Sequence, residues 1–380
     1  MDIVSTQDHK ILDGIIGIEE TIKLQKQKLD SLRKKVRTLQ FKTIDIAGDY
    51  TSVTYKAIDG GKMKVSLNPF EINVIDVADS NFITKLNFVI PEIKSYDDDS
   101  IDDQAIDAII AKLDELTIIK KFTTTLGIKS IKDVTSIPLT DSSNIMQIAE
   151  WACIFERVML DLNEPTIILK DGLLRTKSIK DTLIANLRKK LEEKKKYVKL
   201  VGVSKTSKLV SLLSAAIHLE KKIPQDAIGY IKIPLDLELQ AYNWTGHGRP
   251  DKEKIEPLDY AFGELYVAKL AKASNLLVTI EFPKDLSNGK DVYSETEITE
   301  IISFLAKDSK FSYPVIGYPQ TIMRAHEAAA RLGFAASIIK DEIKEKIMEN
   351  IDEGTGEFIR DGWLITDFVD KGVLGGGKYD

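Results

Sequence analysis

Apolar residues recur along this chain with two different periods, and the switches between them mark out its elements. From Ile11 to Leu39, the positions Ile11, Ile15, Ile18, Ile22, Leu29, Leu32, Val36 and Leu39 stand at helical spacing, which predicts a long N-terminal amphipathic helix over residues 1–40. Its apolar stripe suits packing on the body of the chain or, as a coiled-coil seam, on a second subunit. The segment VTYKAIDGG (53–61) alternates instead and reads as a strand ending in Asp59-Gly60-Gly61, and KMKVSLNPFEINVIDVADS supplies at least one further strand. The acidic stretch from Ser95 to Asp107, followed by an Ile/Leu-rich helical pattern to Lys121, reads as an insertion over about 95–135, a lid or a partner surface.

Helical periodicity returns in SSNIMQIAEWACIFERVMLDL (142–162), with Asp141 to Ser143 offering an N-cap. Two short apolar runs follow, Thr166 to Leu169 and Val198 to Val203, each too short for a helix and each ending in a polar turn. The first ends at Asp171-Gly172, so a carboxylate stands at the C-terminal lip of a strand, where open α/β sheets hold ligands. The second ends in a polar turn carrying Lys205, Ser207 and Lys208, where a lysine cation is suited to phosphate oxygens. Near the C-terminus, Tyr313 and Tyr318 each precede a proline, which favours extended backbone, so Tyr318 is expected to close a strand. The alanine-rich run from Thr321 to Gly333 predicts a helix that carries His326 about two turns in.

Composition narrows the class. The chain has 380 residues, 43% hydrophobic and 29% charged, enough for a large core and one and a half to two domains. The start MDIVSTQDHK lacks a basic, apolar leader pattern, and no apolar run approaches the roughly 20 residues a membrane helix needs. A cytoplasmic enzyme with no membrane association is the expectation. A single cysteine, Cys153, excludes a cysteine-rich zinc site and is expected to be reduced and buried. The net charge of −6 argues only weakly against a nucleic-acid partner, because the charge is segregated. Acidic residues crowd YDDDSIDDQAID and the C-terminal third, whereas Lys170 to Lys208 is strongly basic. The helix expected over Ser178 to Lys196 there is a solvated face or a wall of a DNA channel. The loop TGHGRPDKEKIEPLD reads as exposed, with His247 a loop histidine, and GVLGGGKYD as a flexible tail. No Walker-type G-x-x-x-x-G-K-[ST] run occurs, so ATP use would require a partner.

The order Asp, Glu, KDGLLR, VGVSKTS and GYPQTIMRAHE resembles the NurA family of DNA-end-processing nucleases over roughly residues 43–335, with Tyr318 and His326 eight residues apart as in the family pattern. The resemblance implies an RNase H-like (PIWI-like) α/β fold, a mixed sheet flanked by helices, filling a nuclease domain at 41–345, with 346–380 as a C-terminal segment and tail. It further implies Asp171, Tyr318 and His326 as site residues, and acidic side chains and a histidine holding Mn2+ or Mg2+, with His326 a ligand or a proton shuttle. For the first family aspartate, Asp59 is favoured at its strand end, with Asp45 and Asp49 in TIDIAGDYTS as alternatives. For the family glutamate, a helical wheel puts Glu150 on an open stripe with Ser143, Gln147, Arg157 and Asp161, and Glu156 among Ala149, Ala152, Cys153 and Leu160. Glu150 is favoured because a ligand must reach a hydrated cleft. Glu156 stays as runner-up, since a carboxylate among apolar neighbours is also a catalytic signature. Lys205 and Arg175 are candidates for neutralising phosphate.

Function follows the same resemblance: a metal-dependent 5′–3′ DNA exonuclease, with single-strand endonuclease activity as a further expectation. Its partners would be DNA, a second copy of the chain and a HerA-type hexameric ATPase, in repair or phage defence. The rivals are an inactive RNase H-like nucleic-acid-binding scaffold and an Argonaute-like guide-binding module.

Overall fold

The computed structural model describes residues 23–370 apart from 25, 47–52, 68–69, 93–98, 138, 140, 161, 163, 245–261 and 286–289. Asp49, His247, the acidic residues before Asp99, the N-terminal positions Ile11 to Ile22 and the tail GVLGGGKYD therefore lie outside the described residues. One large mixed sheet organises the chain. Its strands are β1 (Phe41–Thr43), β2 (Thr54–Leu67), β3 (Phe70–Asp79), β4 (Thr84–Pro91), β5 (Thr166–Asp171), β6 (Val198–Ser204), β7 (Gly229–Lys232), β8 (Gly263–Lys269), β9 (Val278–Asp285) and β10 (Lys290–Asp291). They lie in the order β1-β7-β8-β9-β6-β5-β2-β3-β4, with β10 beside β9.

The pairing explains why the two apolar runs are strands. β5 and β6 sit mid-sheet, β2 parallel to β5 and β5 parallel to β6, and both strands bury nearly every residue. A strand covered on both faces reads as a continuous apolar run, not an alternating one. By contrast, β2, β3 and β4 form an antiparallel meander. The strand expected to stop at Asp59-Gly60-Gly61 continues to Leu67, because β3 pairs with it throughout, Ile58 opposite Asp79 and Leu67 opposite Phe70. Glycine weakens a strand but does not end one when a partner is in register.

Helices cover both faces: α1 (26–38), α2 (Asp99–Glu115), α3 (Thr117–Leu126), α4 (Ser142–Met159), α5 (Asp181–Lys194), α6 (Lys208–Leu219), α7 (Leu235–Trp244), α8 (Glu295–Ser309), α9 (Gln320–Ala329), α10 (Leu332–Met348) and α11 (Glu353–Asp370). Two adjacent glycines separate the layers. Gly60 faces Met146 and Glu150 of α4, whereas Gly61 faces Ala329 of α9, as the two-residue period of a strand requires. The described part of the N-terminal helix packs on the body of the same chain: Leu32, Val36 and Leu39 share a core with Leu209, Leu213 and Leu237. Both helices of the predicted insertion join the main core, α2 through Ile110 and Leu113 and α3 through Ile119 and Phe122. Helix α11 closes the far end of the sheet, with Ile359 and Trp363 against Val65 and Leu67. No helix among the described residues is long and apolar enough to cross a membrane.

Two further boundaries differ from the periodicity reading. The basic helix runs from Asp181 to Lys194, two or three residues short at each end, which is ordinary fraying of a pattern-based boundary. Tyr318 closes no strand. Its backbone N–H bonds the Val315 carbonyl in a turn, Gly317 has a φ of 94°, and Pro319 is the N-cap of α9. The backbone before proline is disfavoured from helix, as expected, but no neighbouring strand offers it a ladder.

Candidate metal centre

Asp171 ends β5, and the chain must then turn away from the sheet. Gly172 makes that turn at φ 91°, a left-handed conformation that a side chain resists. Gly202 on β6 accepts the departing loop at backbone distance, since a Cβ there would lie 2.7 Å from Leu174 N. Asp59 lies one register step beyond the Ile58↔Lys170 pair, on the face that α9 covers. His326 comes down from the second turn of α9. The result is a cluster of Asp59, Asp171 and His326 whose ligand atoms all lie within 4.8 Å of one another.

Hydrogen bonds hold each member. His326 Nδ1 is 2.9 Å from Asp59 Oδ2 and 3.5 Å from Asp171 Oδ2. Asp59 Oδ1 accepts the Gly60 backbone N–H at 2.9 Å. Tyr318, fully buried, donates its hydroxyl to Asp171 Oδ1 at 2.6 Å, with the Val203 carbonyl 3.0 Å away. Aspartate Asp308, at the end of α8, accepts both the backbone N–H and the hydroxyl of Thr321, at 3.0 and 3.1 Å, and so fixes the start of α9. Thus the tyrosine orients one carboxylate and a cap orients the helix that brings the histidine.

The electrostatics are those of a site short of positive charge. Burial, and then the neighbouring Asp59 carboxylate, push Asp171 above its ordinary value. The hydrogen bond to Asp59 raises His326, burial opposing it, with the two aspartates adding to the rise and Lys205 lowering it. Burial and Asp171 hold Tyr318 far up, as a neutral phenol able to donate. His326 keeps its side chain 53% exposed, so the cluster opens to solvent on that side.

Glu150 lies on the opposite face of the sheet, against Gly60, and is only 3% exposed. The wheel's open stripe for it is therefore corrected: α4 is covered by the sheet and by α3 and α5, and little of it is left to solvent. Burial pushes its carboxyl up to about 7; Lys170 opposes the rise, while Asp59 and Asp171 add to it. Lys170 Nζ sits 2.9 Å from Glu150 Oε1 and donates to the Asp171 carbonyl at 3.1 Å, linking the glutamate to the metal-facing strand end. Glu156 is elsewhere, half-buried, 3.6 Å from Lys121 of α3. Asp45 is also elsewhere: exposed after β1, at the far edge of the sheet.

Arg175 is likewise corrected. Its side chain is buried with Glu238 of α7 and with Glu281 of β9, the latter 3.3 Å from Nε, and its backbone N–H also donates to Glu281 at 2.9 Å. A guanidinium committed to two buried carboxylates is not free to meet phosphate. Lys205 is the contrasting case, 5.6 Å from the Tyr318 ring and without an ion pair among the described residues. Sequence reasoning missed Lys170 and Asp308. Strand alternation at Lys170-Asp171 offered a signal for the first, but nothing in the sequence ties Asp308 to Thr321.

Two carboxylates and an imidazole suit a hard or borderline divalent ion such as manganese or magnesium, and the only cysteine lies buried on α4, outside the cluster. The donor set thus fits the metal the sequence resemblance implied. The family model of the NurA domain matches residues 54–331, most of the chain and every member of this cluster. The chain belongs to the NurA family. Among solved structures, it is similar to the crystal structure of the NurA nuclease from Sulfolobus solfataricus, with 13% identity and a TM-score of 0.43 over 90% of this chain and 98% of that one. It is also similar to a crystal structure of NurA with manganese, with 11% identity and a TM-score of 0.41 over 84% of this chain and 97% of that one. A third is NurA bound to dAMP and manganese, with 11% identity and a TM-score of 0.35 over 90% and 98%. No curated protein matches significantly.

Proposed function

We propose that this NurA-family chain is a manganese- or magnesium-dependent deoxyribonuclease that hydrolyses phosphodiester bonds at DNA ends. The observation that carries the reading is the convergence of Asp59, Asp171 and His326 within 4.8 Å at the lip of a parallel strand. These three residues hold the ion, with Glu150 close behind them. Bound there, the ion supplies activation of water for attack at phosphorus and neutralisation of charge on the leaving oxygen.

The chain's own residues supply orientation and charge. Tyr318 keeps the Asp171 carboxylate in one rotamer through its 2.6 Å hydrogen bond. His326, held at Nδ1 by Asp59 and partly open to solvent, would serve the ion as a ligand through its second ring nitrogen. Lys205 faces the incoming phosphate backbone. The run β4-β3-β2-β5-β6, antiparallel and then parallel, supports an RNase H-like core. In this reading the enzyme works in the cytoplasm as a homodimer with a HerA-type ATPase, as a 5′–3′ exonuclease that also nicks single strands, in repair or phage defence.

The test is digestion of end-labelled single- and double-stranded DNA in manganese, magnesium or EDTA, beside Asp171→Asn and His326→Ala variants shown to be folded. Metal-dependent cleavage lost in both variants supports the proposal. Absence of cleavage with either metal, with a HerA-type ATPase present, replaces it with an inactive nucleic-acid-binding scaffold.

A further inference from the structure

The two most exposed large apolar side chains among the described residues stand two positions apart: Phe311 is 83% exposed and Tyr313 81%. Both lie on the loop between α8 and α9, the loop that ends at Tyr318. It is anchored, not loose. Ser312 is buried and donates to the Val315 carbonyl at 2.7 Å, and the Tyr313 backbone N–H bonds the Gln320 side chain at 2.7 Å. Exposing two aromatic rings from an ordered turn has a hydrophobic cost with no return inside the monomer.

The topology says where this loop points. The C-terminal ends of β5, β6, β8 and β1 and the N-terminal ends of β9 and β7 all fall on one edge of the sheet, because β6/β9, β8/β9, β7/β8 and β1/β7 are antiparallel. Asp171 and Lys205 are on that edge at β5 and β6. Farther along it, a cavity of about 800 Å³ is lined by Ile44, Gln225, Leu270, Lys272, Lys310 and Phe311, among others. Three to five strand intervals separate its lining from Asp171, roughly 14–24 Å at the usual spacing. Lys310 Nζ lies 5.0 Å from the Phe311 ring, and Lys272 is exposed.

We propose that this edge is a track for a single strand of DNA, in which phosphates follow Lys205, Lys272 and Lys310 and unpaired bases stack on Phe311 and Tyr313. The proposal rests on the nuclease reading above and adds the route of the substrate. Cations interleaved with aromatic faces are the recurrent recipe for sequence-tolerant single-strand binding. The cavity lining sets the carboxylates Asp45 and Asp226 beside Lys272 and Lys310, so a neutral base suits its interior while the phosphates meet the two exposed ammonium groups. At about 3.4 Å per stacked nucleotide, the cavity and Phe311 fall about four to seven nucleotides from the scissile phosphate, and fewer for a stretched strand.

The experiment uses the full chain with Phe311→Ala, Tyr313→Ala and Phe311→Trp. Oligonucleotides of three and of twelve or more nucleotides are digested in manganese, and binding of the longer ones is followed separately in EDTA by the fluorescence of 2-aminopurine. The expected result is a 5- to 100-fold weaker binding and higher KM for long substrates in each alanine variant, the size of one lost stack. Trinucleotide cleavage stays unchanged, and Phe311→Trp behaves as wild type. Unchanged binding of long substrates overturns the track. So does an equal loss on trinucleotides, which would make the loop a support for Tyr318. A variant that keeps DNA binding and loses only a protein partner also overturns it. Because stacking is read in EDTA, an inactive wild-type protein would defeat the nuclease reading while leaving the track independently tested.

Discussion

A Cβ placed on Gly61 would lie 2.5 Å from the carbonyl oxygen of Ala329, so β2 and α9 meet at backbone distance. Two residues before Gly61 is Asp59, and three before Ala329 is His326. The close approach therefore sets the 2.9 Å link between the two candidate ligands. Gly61→Val pushes the helix off the sheet, at a cost of about 1–3 kcal/mol for overpacking. The expected outcome is a melting temperature several degrees lower and cleavage about a hundredfold slower, as for a misplacement of about 1 Å. A variant with wild-type rate would break the proposed link.

Tyr318→Phe removes a single oxygen from a fully buried position. Asp171 loses its donor and the Val203 carbonyl its 3.0 Å neighbour. Affinity for manganese, measured by titration calorimetry, is expected to fall about 10- to 100-fold, with the fold retained by circular dichroism. Equal affinity would mean that Asp171 needs no orienting partner.

The two basic candidates should separate cleanly. Arg175→Ala leaves Glu238 and Glu281 buried and unpaired, and destabilisation of about 3–5 kcal/mol is expected in urea unfolding. Lys205→Ala should leave stability alone, weaken binding to every DNA sequence, and reduce the salt slope of binding by about one. Reversed results would return Arg175 to the substrate and Lys205 to the scaffold.

Glu220 gives a pH test away from the metal ligands. The hydrogen bonds from Arg37 lower its carboxyl most, burial opposes them, and the hydrogen bond from Arg33 and the charges of both arginines bring it down to about 2. A depressed folded-state pKa stabilises above the ordinary value and is lost as pH falls through the folded one. The clamp of α1 onto α6 should therefore weaken between about pH 4.5 and 2. Proteolysis within residues 26–38 is expected to rise over that window in wild type, and to be pH-independent there and already elevated in Glu220→Gln.

Much of this was legible in the chain. The apolar runs around 166–169 and 198–203 specify strands because a sheet buried on both faces demands continuous hydrophobicity, and Asp171-Gly172 declares a strand end because only glycine turns so sharply. The alanine-rich run after Pro319 declares the helix that carries His326, whereas Tyr318, expected to close a strand, stands in the turn before that helix. Burial could not be read in the same way. Glu150 and Arg175 look like surface charges on any one-dimensional pattern, and become a buried carboxyl against Gly60 and a guanidinium between Glu238 and Glu281 only when distant segments close over them. The choice among Asp45, Asp49 and Asp59 was likewise open in sequence. Asp59 meets His326 because β2 pairs in register beside β5 while Gly61 admits α9, a coincidence of three segments separated by up to 267 positions. Local periodicity is set by neighbours a few residues apart, whereas a metal centre is set by which strand lies beside which.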